Sequence, residues 1–146
     1  KGRFRELQNQ VGNRAYMTDP IADMLTRVRN AVMRKHKGVF VPHSNLKQEV
    51  ARILKEEDFI QDYKVIETDG KKELKIFLKY VTRGESVIVG LERLSKPGRR
   101  VYVKWDEVPK VKGGIGISIL STSKGLMTQK QSGQSKVGGE LLCSIW

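Results

Sequence analysis

The first clear pattern along the chain is a run of apolar residues at helical spacing. Ile21, Met24, Leu25, Val28 and Val32 recur at intervals of three and four, which places them on one stripe of a helix. Asp19 immediately before it can accept hydrogen bonds from the unpaired N–H groups of the first turn. Pro20 suits the first helical position because its missing N–H would have no partner there. Arg27, Asn30 and Arg34 fall on the opposite face, with Arg29 at its flank. Gly38 to Pro42 reads as a short strand. Ser44 then caps a second helix whose buried stripe is expected to be Leu46, Val50, Ile53 and Leu54. After Phe59-Ile60 the period changes from 3.6 to two. Asp69-Gly70 predicts a tight hairpin between strands at Asp62 to Glu67 and Lys72 to Tyr80, with Leu74, Ile76, Leu78 and Tyr80 on one face.

Thr82 to Ser86 reads as a linker, and beyond it the pattern is one of strands and turns. Strands are predicted at Val87 to Leu94, Arg100 to Lys104, Ile115 to Leu120 and Leu141 to Trp146. A turn is expected at Pro97-Gly98 and a single helical turn at Asp106 to Pro109. The fold class is therefore α+β. An N-terminal αβαββ subdomain, residues 17–80, is expected to pack against a C-terminal, mostly β subdomain, residues 86–146, which is too short to be stable without it.

Composition narrows the class. With 38% hydrophobic and 30% charged residues the chain reads as globular rather than disordered. Its apolar runs, such as Val87-Ile88-Val89, are far below the ~20 residues of a membrane span. Lys1 to Tyr16 contains no apolar run, so no secretory leader is expected there. A single cysteine, Cys143, precludes an internal disulfide and fits a reducing compartment.

Charge adds more. Lys and Arg number 28 against 16 Asp and Glu, a net charge of +12, and the distribution is uneven. Met24 to Lys47 carries six basic residues and no acid. Arg93 to Lys104 carries five and no acid, and Val108 to Trp146 carries five lysines and only Glu140. Half the acids lie between Glu49 and Glu73. Such polarity suggests a basic surface turned toward a polyanion.

Candidate chemistry is sparse. His36 and His43 lack the companion ligands of a metal site, and Cys143 alternates with Leu141 and Ile145 as a small buried residue would. Gly113-Gly114-Ile115-Gly116 resembles a fragment of a phosphate loop, but a strand follows it where such loops need a helix. Ser121-Thr122-Ser123-Lys124 formally matches a Ser-x-x-Lys nucleophile motif. In that chemistry the serine opens a helix and two further motifs complete the site; here Gly125 follows at once and both motifs are missing from the chain. The same residues suit RNA better. Adjacent hydroxyls both donate and accept, Lys124 supplies a phosphate counter-charge, and Gly125 lets a backbone approach. An ordinary polar loop is the alternative on physics alone.

Several segments in order carry a resemblance. Ser121 to Thr128, Asp19 to Asn30, the spacing of Pro42, Ser44 and Lys47, Ser95 to Tyr102, and Gly138-Gly139-Glu140 together resemble the small-subunit ribosomal protein eight family, bacterial type, over Met17 to Trp146. The resemblance implies a structural, non-catalytic constituent of the small ribosomal subunit, in the cytoplasm or an organelle. It would bind an irregular stem in the central domain of small-subunit ribosomal RNA early in assembly, beside neighbouring small-subunit proteins. It also implies repression of its own messenger through a similar stem. No cofactor, metal, membrane or small-molecule substrate is expected. Carried over by residue, the RNA contacts would be Ser121, Thr122, Ser123, Lys124 and Gly125, with Tyr102 and Glu140 touching or supporting the RNA. Arg29, Asn30, Ser44 and Lys47 would approach its backbone. For Glu140 two roles stand open: a carboxylate that orients the loop, or an acceptor for a base amino group.

The chain departs from the family in two places. Gln129 to Lys136 has fewer charges than the family's arginine-bearing helix and contains Gly133, which leaves open whether a helix forms. Lys1 to Tyr16, net +3, lies outside the resemblance and is expected to be a disordered basic arm that touches RNA.

Overall fold

In the computed structural model, which describes residues 19–146, the first helix, α1, spans Pro20–Met33. The expected character of Lys1 to Tyr16 lies outside these residues, as do Met17 and Thr18. The Asp19 carboxylate accepts the Ala22 N–H at 3.1 Å, and Pro20 opens the helix. Ile21, Met24, Leu25 and Val28 are buried as predicted, but Ala31 completes the stripe and Val32 is only partly covered. Each such aliphatic side chain removed from water stabilises the fold by roughly 1.5–3 kcal/mol.

Strand β1, Gly38–Pro42, leads to helix α2, Asn45–Glu56, whose first turn is capped by the Ser44 hydroxyl accepting the Lys47 N–H. One position of the predicted stripe is corrected here. Leu46 is 40% exposed, and Lys47 takes the buried place at 5%. The long Lys47 stem packs inward while its ammonium donates to the Pro42 carbonyl at 2.8 Å, so the buried charge has a partner. Burial, opposed by Asp23 and reinforced by Arg27, lowers the pKa of this lysine.

Strands β2, Ile60–Thr68, and β3, Lys71–Leu78, form the predicted hairpin. Asp69 and Gly70 both adopt positive φ (53° and 79°), the geometry of its two-residue turn. β2 begins earlier than expected, through an irregularity between Ile60 and Asp62, and β3 stops at Leu78. Tyr80 instead bridges Ser86, and its hydroxyl donates to the His36 carbonyl. The three strands order as β1-β3-β2, with the helices against one face.

The second sheet is built around β8, Gly139–Ile145. It contains β4, Leu91–Arg93; β5, Tyr102–Val103; β6, Ile117–Thr122; and β7, Gly125–Thr128. Its order is β4-β8-β6-β7, and β5 pairs with the start of β8. The predicted strand at Val87 to Leu94 shrinks to three residues because the N–H groups of both Val89 and Gly90 converge on the Trp146 carbonyl, which breaks the ladder. The turn expected at Asp106 to Pro109 falls later, as a short 3-10 helix at Lys112–Gly114. β7 was not anticipated.

A helix, α3, does form at Gln129–Ser135. Its start explains how so weak a helical sequence succeeds: the Thr128 hydroxyl accepts the Gln131 N–H, and the Gln131 side chain accepts the Thr128 N–H in return.

One continuous core joins the two sheets, running from Ile21, Leu25 and Leu54 to Ile119, Cys143 and Ile145. α1 packs on β4 and α2 on β7. Two polar ties cross this junction. The Arg93 guanidinium bonds both Asp19 carboxylate oxygens at 3.1 and 3.2 Å, and Arg29 donates to the Leu91 carbonyl at 2.6 Å.

Candidate nucleic-acid interface

The Ser121 to Gly125 segment is a β-hairpin tip rather than a loop. Ser121 and Thr122 end β6, Ser123 and Lys124 form the turn, and Gly125 opens β7 at φ 104°. That conformation is disfavoured for residues with a Cβ. Thr122 holds the turn in shape, since its hydroxyl donates to the Gly125 carbonyl at 2.8 Å and accepts the Lys124 N–H at 3.0 Å. Ser123 and Lys124 are left exposed at the tip. Ser121 lies on a strand, with Lys124 across the turn from it. The helical spacing required for a serine–lysine nucleophile is therefore not present.

Register brings together three residues that are far apart in sequence. Ser121 pairs with Glu140 across β6 and β8, and Tyr102 pairs with Glu140 across β5 and β8. Residues directly opposite on neighbouring strands share a face, so Tyr102, Glu140 and Ser121 form one transverse row. Tyr102 is 70% exposed, with its ring free to meet a flat partner.

Two glycines make this convergence possible. A Cβ on Gly139 would lie 2.1 Å from the Ser121 carbonyl oxygen, and one on Gly138 would lie 2.4 Å from that of Val103. β8 therefore approaches β5 and β6 closely only because neither residue has a side chain.

Glu140 has defined partners. Its carboxylate accepts the Ser95 hydroxyl at 2.6 Å and the Arg100 guanidinium at 2.9 Å, while Ser95 also accepts the Val101 N–H at 3.1 Å. Burial works against the charged carboxylate. The bonds from Ser95 and Arg100 and the charge of Arg93 outweigh it, and the pKa falls below the ordinary 4.5. Of the two roles left open, the orienting one is thus occupied, although the group oriented is the Ser95 to Val101 turn rather than the hairpin hydroxyls. A pH dependence follows. Because the folded state lowers this pKa, the stabilisation is complete above 4.5 and is lost as pH falls through the depressed value. In urea melts the midpoints of wild type and Glu140→Gln should differ most near neutrality and converge in acid. A gap that widened in acid would contradict the assignment.

The N-terminal candidates are not gathered at this row. Arg29 holds the Leu91 carbonyl, Ser44 caps α2 and Lys47 is buried, while Asn30 is exposed on α1. Arg93, part of an acid-free basic run, is likewise turned to the Asp19 junction. Sequence reasoning did not identify Ser95 and Arg100 as site residues. Both stand in the Ser95 to Tyr102 motif, but only the fold shows that they converge on Glu140.

Other candidate chemistry resolves into structure. The His43 ring bonds Gln48 at 2.8 Å, and among the described residues no group of three His, Cys, Asp or Glu side chains could hold a metal ion. Burial pushes the Cys143 thiol up to about 12, so it is an inert core residue. No helix among the described residues is long and apolar enough to cross a membrane.

The exposed hairpin tip, the exposed Tyr102 ring and the Glu140 carboxylate held by Ser95 and Arg100 are the groups of a candidate docking surface. The chain belongs to the ribosomal protein S8 family, whose members are structural rather than enzymatic; the family model described as ribosomal protein S8 matches residues 19–146. Among similar proteins is the small ribosomal subunit protein uS8 of Halothermothrix orenii, 60% identical over 130 residues, covering 89% of this chain and 98% of that protein. The proteins of the same name from Clostridioides difficile and Dehalococcoides mccartyi are 59% and 53% identical. They are matched over 89% of this chain and over 98% and 99% of their own lengths.

Proposed function

We propose that this protein is a primary ribosomal RNA binder of the small subunit. It would dock the Ser121 to Gly125 hairpin and the Tyr102–Glu140–Ser121 row against an irregular stem in the central domain, and so help order that region during assembly. The observation that carries this reading is the row itself: the fold aligns hydroxyl, carboxylate and aromatic groups beside an exposed hairpin tip, in a half of the chain, residues 86–146, with ten basic residues and only four acidic ones. A regular A-form duplex offers side chains little but its shallow minor groove and backbone, so protruding groups of mixed polarity are better suited to a distorted stem with splayed bases. A similar stem in its own messenger would fit the same surface, giving a route to translational repression.

Roles divide by chemistry. Ser123, exposed at the tip, would specify; Lys124 would add salt-dependent affinity. Ser123→Ala is expected to weaken binding by roughly 1–3 kcal/mol, through an RNA polar group left unpaired. Lys124→Ala should weaken binding to any RNA and flatten the salt slope by ~1. Filter binding over a salt series checks both, and equal, salt-independent losses would overturn the division.

A further inference from the structure

The helices cover one face of the β1-β3-β2 sheet, so alternate residues of its strands point to the other. Leu74, Ile76 and Leu78 of β3 turn inward to the core, and Lys75 and Phe77 therefore turn outward. Register sets Phe40 of β1 and Lys64 of β2 beside Lys75, and Gly38 and Asp62 beside Phe77. Phe40 is 43% exposed, and Phe77 is only half-buried. Two aromatic rings are thus interleaved with lysines on an open sheet face.

The two sides of the Phe77 ring differ. On the β1 side the Lys75 ammonium lies 4.9 Å from its centroid and 5.2 Å from that of Phe40. The Lys75 stem passes over Gly38, where a Cβ would meet its Cε at 3.3 Å. On the β2 side is an open depression of about 460 Å³, lined by Lys37, Gln61, Asp62, Lys64 and Phe77. The irregularity between Ile60 and Asp62 brings Gln61 there. It is the extra residue of β2, with no mate on β3, and a bulge of this kind re-aims a side chain.

These groups match a nucleotide. A base can stack on the flat ring, its edge can meet an amide that both donates and accepts, and its phosphates can meet the ammonium groups. Charge agrees. Lys37, Lys64 and Lys75 stand against Asp62, whose carboxylate already holds the Lys55 ammonium at 3.0 Å. Glu73, the other acid of this face, lies two rows from Phe77. An acidic peptide would satisfy the cations but bring no flat, hydrogen-bonding group to the ring and the amide together.

We propose that this face is a second RNA site, which takes an unpaired nucleotide. Its base stacks on the β2 side of Phe77 with its edge against the Gln61 amide, and its phosphates lie beside Lys37 and Lys64. The proposal rests on the reading of the chain as an RNA binder, but the site is built by a different sheet from the hairpin and its row.

The test uses the full-length protein and fluorescently labelled hexaadenylate, a single strand whose purine bases stack well. Anisotropy should show saturable binding. Phe77→Leu keeps an apolar side chain but no ring, and should weaken that binding by about fivefold or more. Gln61→Ala, at an exposed position, should also weaken it. Both variants should hold the irregular stem as tightly as wild type does. No binding of hexaadenylate, or equal binding by Phe77→Leu, would overturn the proposal. In assembled small subunits, benzoylphenylalanine in place of Gln61 should cross-link to RNA; a protein product, or none, would equally overturn it. A wild-type protein that bound hexaadenylate through Phe77 but did not distinguish the irregular stem from a duplex would leave this site standing and count against the hairpin reading alone.

Discussion

Gly139→Ala is expected to be the most damaging single methyl addition on the side of the protein proposed to bind RNA. The new Cβ would fall 2.1 Å from the Ser121 oxygen, 2.9 Å from its carbonyl carbon and 3.1 Å from the Thr122 Cα. All three are backbone atoms of β6, so no side-chain rotation relieves the clash and the strand itself must move. Overpacking of this kind typically costs about 1–3 kcal/mol in stability. The displaced strand carries Ser121, Thr122 and the hairpin, so affinity for the stem should fall by roughly tenfold or more, since each 1.4 kcal/mol is a factor of ten. Gly133→Ala is the control: a Cβ there meets nothing within 4 Å, and α3 should be unharmed or slightly more stable. Thermal melts and binding on both variants check the contrast. Wild-type affinity in Gly139→Ala would show that the close approach of β8 to β6 does not position the hairpin.

Arg93→Ala should produce the largest loss of stability. With side chains only 11% and 18% exposed, the Arg93–Asp19 pair is shielded from the solvent screening that makes surface pairs nearly worthless. Arg93 also donates to the Leu142 carbonyl at 2.9 Å, and Asp19 doubles as the α1 cap. Truncation leaves that carboxylate and carbonyl without their guanidinium, at a cost of roughly 3 kcal/mol. Because the core is continuous across the junction, the loss should lower one cooperative transition rather than split it in two. Arg93→Lys should recover only part of the loss, because an ammonium cannot reproduce the fork that spans Asp19 and Leu142. A urea midpoint within error of wild type for Arg93→Ala would remove this junction from the account.

The legible parts of the fold were those governed by local rules. Asp19-Pro20, Ser44 and Asp69-Gly70 announced two helix starts and a hairpin because capping and turn chemistry act over two to four residues. The substitution of Lys47 for Leu46 at the buried position escaped periodicity. A lysine reads as polar, yet its stem is apolar and the Pro42 carbonyl happens to lie within reach of its ammonium. In the second half, strand edges were set by distant partners: the Trp146 carbonyl, which takes the Val89 and Gly90 N–H groups, decides where β4 begins, and β7 exists only as the mate of β6. The site divided the same way. Ser121 to Gly125 stood out as a motif, and family resemblance supplied Tyr102 and Glu140. The row joining them, the support from Ser95 and Arg100, and the commitment of Arg29 and Lys47 to internal contacts depend on register and packing between residues far apart in sequence.

Recognition of an irregular RNA stem by the hairpin and its row is tested by equilibrium binding of the purified protein to the irregular central-domain stem and to a perfectly paired duplex of equal length, across a salt series. Tighter binding to the irregular stem is expected at every salt concentration. Similar salt slopes for the two RNAs are expected, since phosphate contacts are shared, and Ser123→Ala should narrow the difference. Equal affinity for the two RNAs would contradict such recognition.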